Sequence, residues 1–486
     1  MTTKIKNILD KYPSYEANIG IEVHVQLKTE SKIFCSCSNK YGEKPNKNIC
    51  PICAGYPGIL PVLNKKVVDF AIMAGIATNS KISQISKFAR KHYMYPDLPK
   101  NFQITQGNLP ICTHGYVMID LPDKTEKNIR LTRIHMEEDA GKTTHEEEQS
   151  LVDLNRAGTP LLEIVSYPDI SDSSQAKSYL SNLKLIVQHL NISSANMEEG
   201  SFRADVNISV KKKDAQKLGV KVELKNINSF KFIGQAIDFE IERQIKLLEE
   251  NKAVVQETRL WDVKSQQSVF MRSKEEAEDY RYLREPDLPL VIVDNQWIEQ
   301  IKKNMPELPR EKIKRFQNEY NLSSYEVENL ISDVEISDFF EKVVKICNHP
   351  KQVCNWILRN VLAFLNEHKI QINESKITAE KFAELIKAIS DGEINTKVAQ
   401  DVFLEFARTG KSPNKIIEDK DLKQIVSEKE LEKIILLVIQ ENPSQVEQYR
   451  AGKERLFGYF VGQLMQKTQG KANPKILQKL LKKHLG

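Results

Sequence analysis

From Asn18 to Leu27 the chain reads Asn-Ile-Gly-Ile-Glu-Val-His-Val-Gln-Leu, with every odd position apolar. Alternation at period two sends Ile19, Ile21, Val23 and Val25 to one face of a strand, and Glu22, His24 and Gln26 to the other. Residues two apart on a strand are separated by about 6.6 Å, so a carboxylate and an imidazole point the same way. That pair suits holding a divalent cation, moving a proton or gripping a charged substrate. A half-solvated antiparallel strand has the same pattern. A second group is sharper. Four of the seven cysteines fall in Cys35-x-Cys37-x12-Cys50-Pro51-Ile52-Cys53. Two close thiol pairs across a short loop can converge tetrahedrally on Zn2+, and with four protein ligands such a site is structural. Met1 to Glu16 has no apolar core of signal-peptide length, which argues against a disulfide reading. Cys112, Cys347 and Cys354 read as small core residues.

Positioning the Glu22–His24 pair requires a sheet with one polar face, and other segments supply it. Every second residue is apolar from Ser201 to Val210, and the opposite face reads Ser, Arg, Asp, Asn, Ser. Lys221 to Lys225 sends Glu223 outward between two lysines, and Tyr116 to Asp120 is a shorter strand of the same kind. These strands predict an antiparallel sheet packed on one side. Its open face would collect Glu22, His24, Arg203, Asp205, Asn207, Glu223 and Lys225, a set suited to a phosphate and a divalent metal. Asp139-Ala140-Gly141-Lys142-Thr143 is not a P-loop, because position 136 is methionine where the motif needs glycine. The adjoining Glu137, Glu138 and Asp139 would repel a bare phosphate and suit Mg2+ held between carboxylate and phosphate oxygens. No G-x-S-x-G and no H-E-x-x-H occurs, so any catalysis would work by positioning and electrostatics.

The 486 residues allow two to four domains, and 40% hydrophobic with 28% charged residues is ordinary for a globular protein. The longest apolar run, Phe70 to Ala77, is too short to span a bilayer, and the expectation is a cytoplasmic protein with no membrane partner. Near residue 300 short alternating segments give way to 3.6-residue periodicity, with Pro306 and Pro309 at the junction and a second break at Thr409–Pro413. The fold class is therefore α+β: an N-terminal antiparallel-sheet cradle over 15–303, a helical domain over 304–411 and a small helical tail over 412–486. Charge is uneven. Residues 451–486 hold eight Lys/Arg against one acid, a net +7 within a total of +5. After the Asn473-Pro474 helix start, Lys475, Lys479, Lys482 and Lys483 make one basic face. With Lys467 and Lys471 it reads as a polyanion-binding stripe or as a solvated lysine-rich helix.

Longer segments carry a family resemblance. IGIEVHVQLKTESKIF (19–34), FARKHYMYPDLPKNFQITQ (88–106), RIHMEEDAGKTTH (133–145), SLVDLNRAGTPLLEIVSYPD (150–169), MEEGSFRADVNIS (197–209), ELKNINSF (223–230) and DYRYLREPDLP (279–289) occur in order, with FVGQLMQKTQGKANP (460–474) in the tail. Together they resemble the GatB family, the tRNA-binding component of the heterotrimeric glutamyl/aspartyl-tRNA amidotransferases (GatCAB). The resemblance implies a ligase component that works in a heterotrimer with an amidase and a small third polypeptide. It would use ATP and Mg2+ to phosphorylate the side-chain carboxylate of misacylated Glu-tRNA(Gln) or Asp-tRNA(Asn), and ammonia from the amidase would then displace phosphate. Carried over by motif, the catalytic pocket is Glu22, His24, Lys91, Glu138, Glu163, Asp205 and Glu223. Within it His24, Glu138 and Glu163 would hold Mg2+, and Lys91 with Arg203 would neutralise phosphate. The cysteine quartet, inserted at 35–53, would hold structural Zn2+, and the lysines at 467, 471, 475, 479, 482 and 483 would contact tRNA. The competing reading is a zinc-stabilised tRNA-binding scaffold without catalysis.

Overall fold

The computed structural model describes residues 7–273, 280–423, 428–468 and 472–486. The chain divides into Met1–Pro309 and Arg310–Gly486. The first unit is built on a ten-stranded mixed sheet. Its central strands are β1 (Tyr15–Gln26), β4 (Glu126–Glu138), β5 (Pro160–Ser166), β6 (Phe202–Lys212), β7 (Val222–Lys225), β8 (Glu257–Asp262) and β9 (Gln267–Ser273). They run β9-β8-β7-β6-β1-β5-β4 across the sheet, and short strands at Cys112–Thr113, Lys81–Ile82 and Tyr116–Asp120 extend it beyond β4. A separate three-stranded sheet joins β2 (Ala89–His92), β3 (Phe102–Thr105) and β10 (Leu283–Arg284).

The alternation in β1 is literal in the structure. Tyr15, Ala17, Ile19, Ile21, Val23 and Val25 are buried and the residues between them are half-buried. The apolar face lies under α1 (Lys65–Ala77), α2 (Ser173–His189) and α3 (Phe230–Glu249), whose buried residues belong to the same core cluster. Asp172 and Ser229 cap α2 and α3 by accepting the Gln175 and Phe232 amides. One pair departs from the expected antiparallel sheet, since β7 and β8 run parallel. Their connection is α3, and a parallel pair needs such a crossover. Period-two patterning does not encode strand direction, so the sequence is silent on this.

The second unit is helical, with one apolar cluster from Phe316 to Ile417 and another from Leu431 to Leu485. Helix α4 (Ser324–Ile331) opens with a capping box between Ser323 and Glu326. The Lys351 ammonium at 2.7 Å, with the Ser323 hydroxyl, holds the Glu326 carboxyl down at about 2. A folded value below the unfolded one of about 4.3 means stability present above the unfolded value and lost as pH falls through the folded one. Glu326→Gln should therefore lower the melting temperature more at pH 7 than at pH 3, as thermal scans at the two pH values would show. Equal losses would mean that the charge contributes nothing.

Candidate active site and metal centres

Cross-strand register assembles the polar face. His24 stands opposite Glu163 and Arg203, Glu22 opposite Asp205, Asn207 opposite both Gly20 and Glu223, and Glu163 opposite His135. Three of these side chains, His24, His135 and Glu163, close a ring with Glu137. His24 Nε2 lies 3.3 Å from Glu137 Oε1 and 3.6 Å from Glu163 Oε2. His135 Nε2 completes it at 3.1 Å from Glu163 and 3.6 Å from Glu137. Thr105 on β3 donates to Glu137 at 3.2 Å, and Arg133 sits 3.7 Å from Glu163. Burial works against the His135 cation, yet the Glu163 and Glu137 carboxylates outweigh it and push its pKa up to about 9. Burial likewise opposes the charge on Glu137, whose carboxyl is still held well below the usual range by His135 and His24.

Suitable ligand atoms of His24, Glu137 and Glu163 lie within 4.8 Å of one another. Two carboxylates and an imidazole fit a divalent cation, which would supply the counter-charge to Glu137 and Glu163. The ring borders a cleft of about 640 Å³ that also takes in Glu22, Lys91, Arg133, Tyr282 and Arg284. Lys91 lies over the Tyr280 ring at 4.6 Å. Along the same sheet face, Lys225 meets Asp205 at 2.5 Å and Glu223 at 3.5 Å, and Thr258 donates to Glu223 at 2.8 Å. Asn207 donates to Glu22 at 3.0 Å. Burial, then the charges of Glu163, Glu223 and Asp205, raise the Glu22 pKa. Arg203 is engaged by Asp139 at 2.8 Å, beside a neighbouring pocket of about 550 Å³ that also takes in Asp205, Arg156 and Lys142.

One expected member stands elsewhere. Glu138 does not join His24 and Glu163; Glu137 does. Adjacent residues of a strand face opposite sides, and Glu138 turns away to accept Lys100 Nζ at 2.5 and 2.6 Å and the Ile104 amide at 2.8 Å. There it lines a separate cavity of about 420 Å³ with Cys35 and Cys53. His135 and Arg133 are absent from the residues expected on sequence grounds, although Arg133-Ile134-His135-Met136-Glu137 carries the same alternation as β1. Taking Glu137–Asp139 as one acidic run hides that signal.

The cysteine quartet converges. Its sulfurs all lie within 4.8 Å of one another, with Cys53 Sγ 3.9 Å from Cys50 Sγ and 4.0 Å from Cys37 Sγ. Tetrahedral zinc with Zn–S bonds of about 2.3 Å sets sulfurs about 3.8 Å apart, so the thiols fit that ion. The loop is pinned to the segment before Ala157: Asn46 N donates to Asp153, Asn46 Oδ1 accepts from Leu154 N, and Asn48 N donates to Asn155.

In the tail, Lys479, Lys482 and Lys483 lie on α5 (Pro474–Leu485), Lys483 at 3.6 Å from Glu432 and Lys482 at 5.9 Å from the Phe457 ring. Lys467 pairs with Glu441 at 2.6 Å. Lys471 lies outside the described residues, as does the side chain of Lys475. Among the described residues no helix is long and apolar enough to cross a membrane.

Comparison with known proteins joins these features. Residues 17–299 match the GatB/GatE catalytic domain and residues 338–485 the GatB domain. The chain is 49% identical over 472 residues to the GatB-type polypeptide of the aspartyl/glutamyl-tRNA(Asn/Gln) amidotransferase of Persephonella marina, covering 97% of this chain and 99% of that one. It is 50% identical to the proteins of the same name from Geotalea daltonii, over 476 residues, and Thermoanaerobacter pseudethanolicus, over 472, with the same shares of each chain covered. A sheet face with a His–carboxylate ring, on a chain alike from end to end, makes this protein a member of the GatB family of aspartyl/glutamyl-tRNA amidotransferase subunits.

Proposed function

We propose that the chain is the subunit that activates the side-chain carboxylate of Glu-tRNA(Gln), Asp-tRNA(Asn) or both, with ATP and Mg2+. The observation carrying this reading is the ring of His24, Glu137, His135 and Glu163, of which Glu137, His135 and Glu163 line a cleft together with Lys91, Arg133 and Arg284. A carboxylate is a poor acyl donor because its leaving group would be oxide. In the proposed reaction a carboxylate oxygen attacks the γ-phosphorus and the bond to the bridging oxygen breaks, releasing ADP. Ammonia from a partner amidase then attacks the acyl carbon, phosphate departs with the C–O bond, and the nitrogen loses a proton. Mg2+ held by His24, Glu137 and Glu163 would supply charge for the phosphate oxygens. Lys91 and Arg203 line the two pockets beside the ring and would neutralise phosphate; Glu22 lines the first and Asp205 the second, and Lys225 ties Asp205 to Glu223 on the same sheet face. Glu138 would shape the adjoining cavity. The test is to co-purify this chain with its amidase and its small third partner, and to supply γ-labelled ATP, glutamine and each misacylated tRNA. Amide product with ADP formation is expected; tRNA binding with neither would favour the scaffold reading.

Zinc on Cys35, Cys37, Cys50 and Cys53 would be structural, and the basic tail would meet the tRNA backbone. Replacing Lys479, Lys482 and Lys483 by Gln should weaken tRNA binding evenly across tRNA species. It should also make the slope of log affinity against log salt shallower by about two to three, near one for each phosphate no longer neutralised. An unchanged slope in filter-binding titrations would remove these residues from the interface.

A further inference from the structure

Lys32 is fully buried. Its ammonium donates to the Asn48 carbonyl at 2.7 Å, the Leu154 carbonyl at 3.2 Å and Cys53 Sγ at 3.5 Å, which uses all three of its N–H groups. Among the described residues no carboxylate lies within ion-pair distance of it. A lysine so placed is rare, because a buried charge needs a counter-charge, and the one anionic candidate in reach is a thiolate. Cys53 also accepts the Cys50 amide at 3.2 Å.

Four thiolates around Zn2+ leave a net charge of −2 at a site whose Cys53 is buried and whose other three cysteines are half-buried. We propose that Lys32 is the resident counter-charge of the cysteine site, a positioning residue outside the ligand set that governs how tightly the four sulfurs hold a divalent metal. This rests on the zinc reading above. The ammonium halves the net charge of the loaded site, and its two carbonyl bonds fix it between the cysteine loop at Asn48 and the segment carrying Leu154.

The experiment is competition for zinc between the full-length chain and a chromophoric chelator. Lys32→Met is expected to weaken zinc binding about 10- to 100-fold, the usual range for a lost outer-shell partner. Ile33→Val, which trims the adjacent core without touching charge, should stay within about threefold of the parent. If Lys32→Met fails to fold, by circular dichroism, the neutral polar Lys32→Gln carries the same test. Unchanged affinity in the neutral variants would overturn the proposal. So would equal weakening by Ile33→Val, since packing alone would then explain the effect. A parent chain that binds no zinc would instead overturn the zinc reading beneath it.

Discussion

Glu137→Gln should cut the rate of Glu-tRNA-dependent ADP formation about 100- to 1000-fold while tRNA affinity stays near that of the parent. The magnitude follows from losing several kcal/mol of metal-borne charge stabilisation, at 1.36 kcal/mol per tenfold in rate. The carboxylate is shared by His24 at 3.3 Å, His135 at 3.6 Å and Thr105 at 3.2 Å, so its loss opens the ring from both sides. Affinity for tRNA should persist, because the lysines expected to meet it lie in the other unit of the chain. Glu138→Gln is the counterpart. It leaves Lys100, itself largely buried, without its carboxylate, and breaking such a pair costs about 3–5 kcal/mol. Its expected effect is a lower melting temperature, with ADP formation per folded molecule within about tenfold of the parent. Measuring both variants side by side decides between neighbours. An inactive Glu138→Gln beside an active Glu137→Gln would return the metal site to the residue that the family resemblance favours.

Loss of the metal at the cysteine quartet should be the largest effect on stability. The purified chain is expected to carry about one equivalent of zinc by elemental analysis. Removing it, or replacing Cys53 by Ser, should lower the melting temperature by on the order of 5–10 °C, the shift several kcal/mol produces in a unit of this size. The decrease is smaller than for an isolated zinc finger because the loop is also pinned through Asn46, Asn48, Asp153 and Asn155. Function should respond differently. No cysteine belongs to the His24–Glu137–Glu163 group, so kcat should fall less than tenfold. Residues of the same loop, Asn39 to Glu43, line the pocket beside Arg203, so KM should rise instead. A collapse of kcat in a still-folded zinc-free protein would show that the metal has more than a structural part.

Much of this site is legible without any tertiary information. The period-two alternation of β1 and β6 sorts core residues from face residues, because burial of one sheet face imposes that pattern directly on the chain. Cysteine spacing alone picks out the four thiols that converge, since their loop is short and the ligand geometry undemanding of the rest of the fold. The change to helical periodicity near residue 300 lies close to the division at Pro309. In each case the constraint is local, and a local constraint leaves its mark on neighbouring residues.

What only the tertiary structure decided depends on register and on partners distant in sequence. Choosing Glu137 over Glu138 requires knowing that His135, and not Met136, lies opposite Glu163. A shift of one residue would exchange the two faces. The parallel pairing of β7 with β8, the Lys225–Asp205 ion pair and the burial of Lys32 against Cys53 are of the same kind. A lysine in a sequence carries no sign that it will be buried beside a sulfur 21 residues away. Composition and spacing determined which chemistries the chain could support; strand register and loop packing decided which side chains meet to perform them.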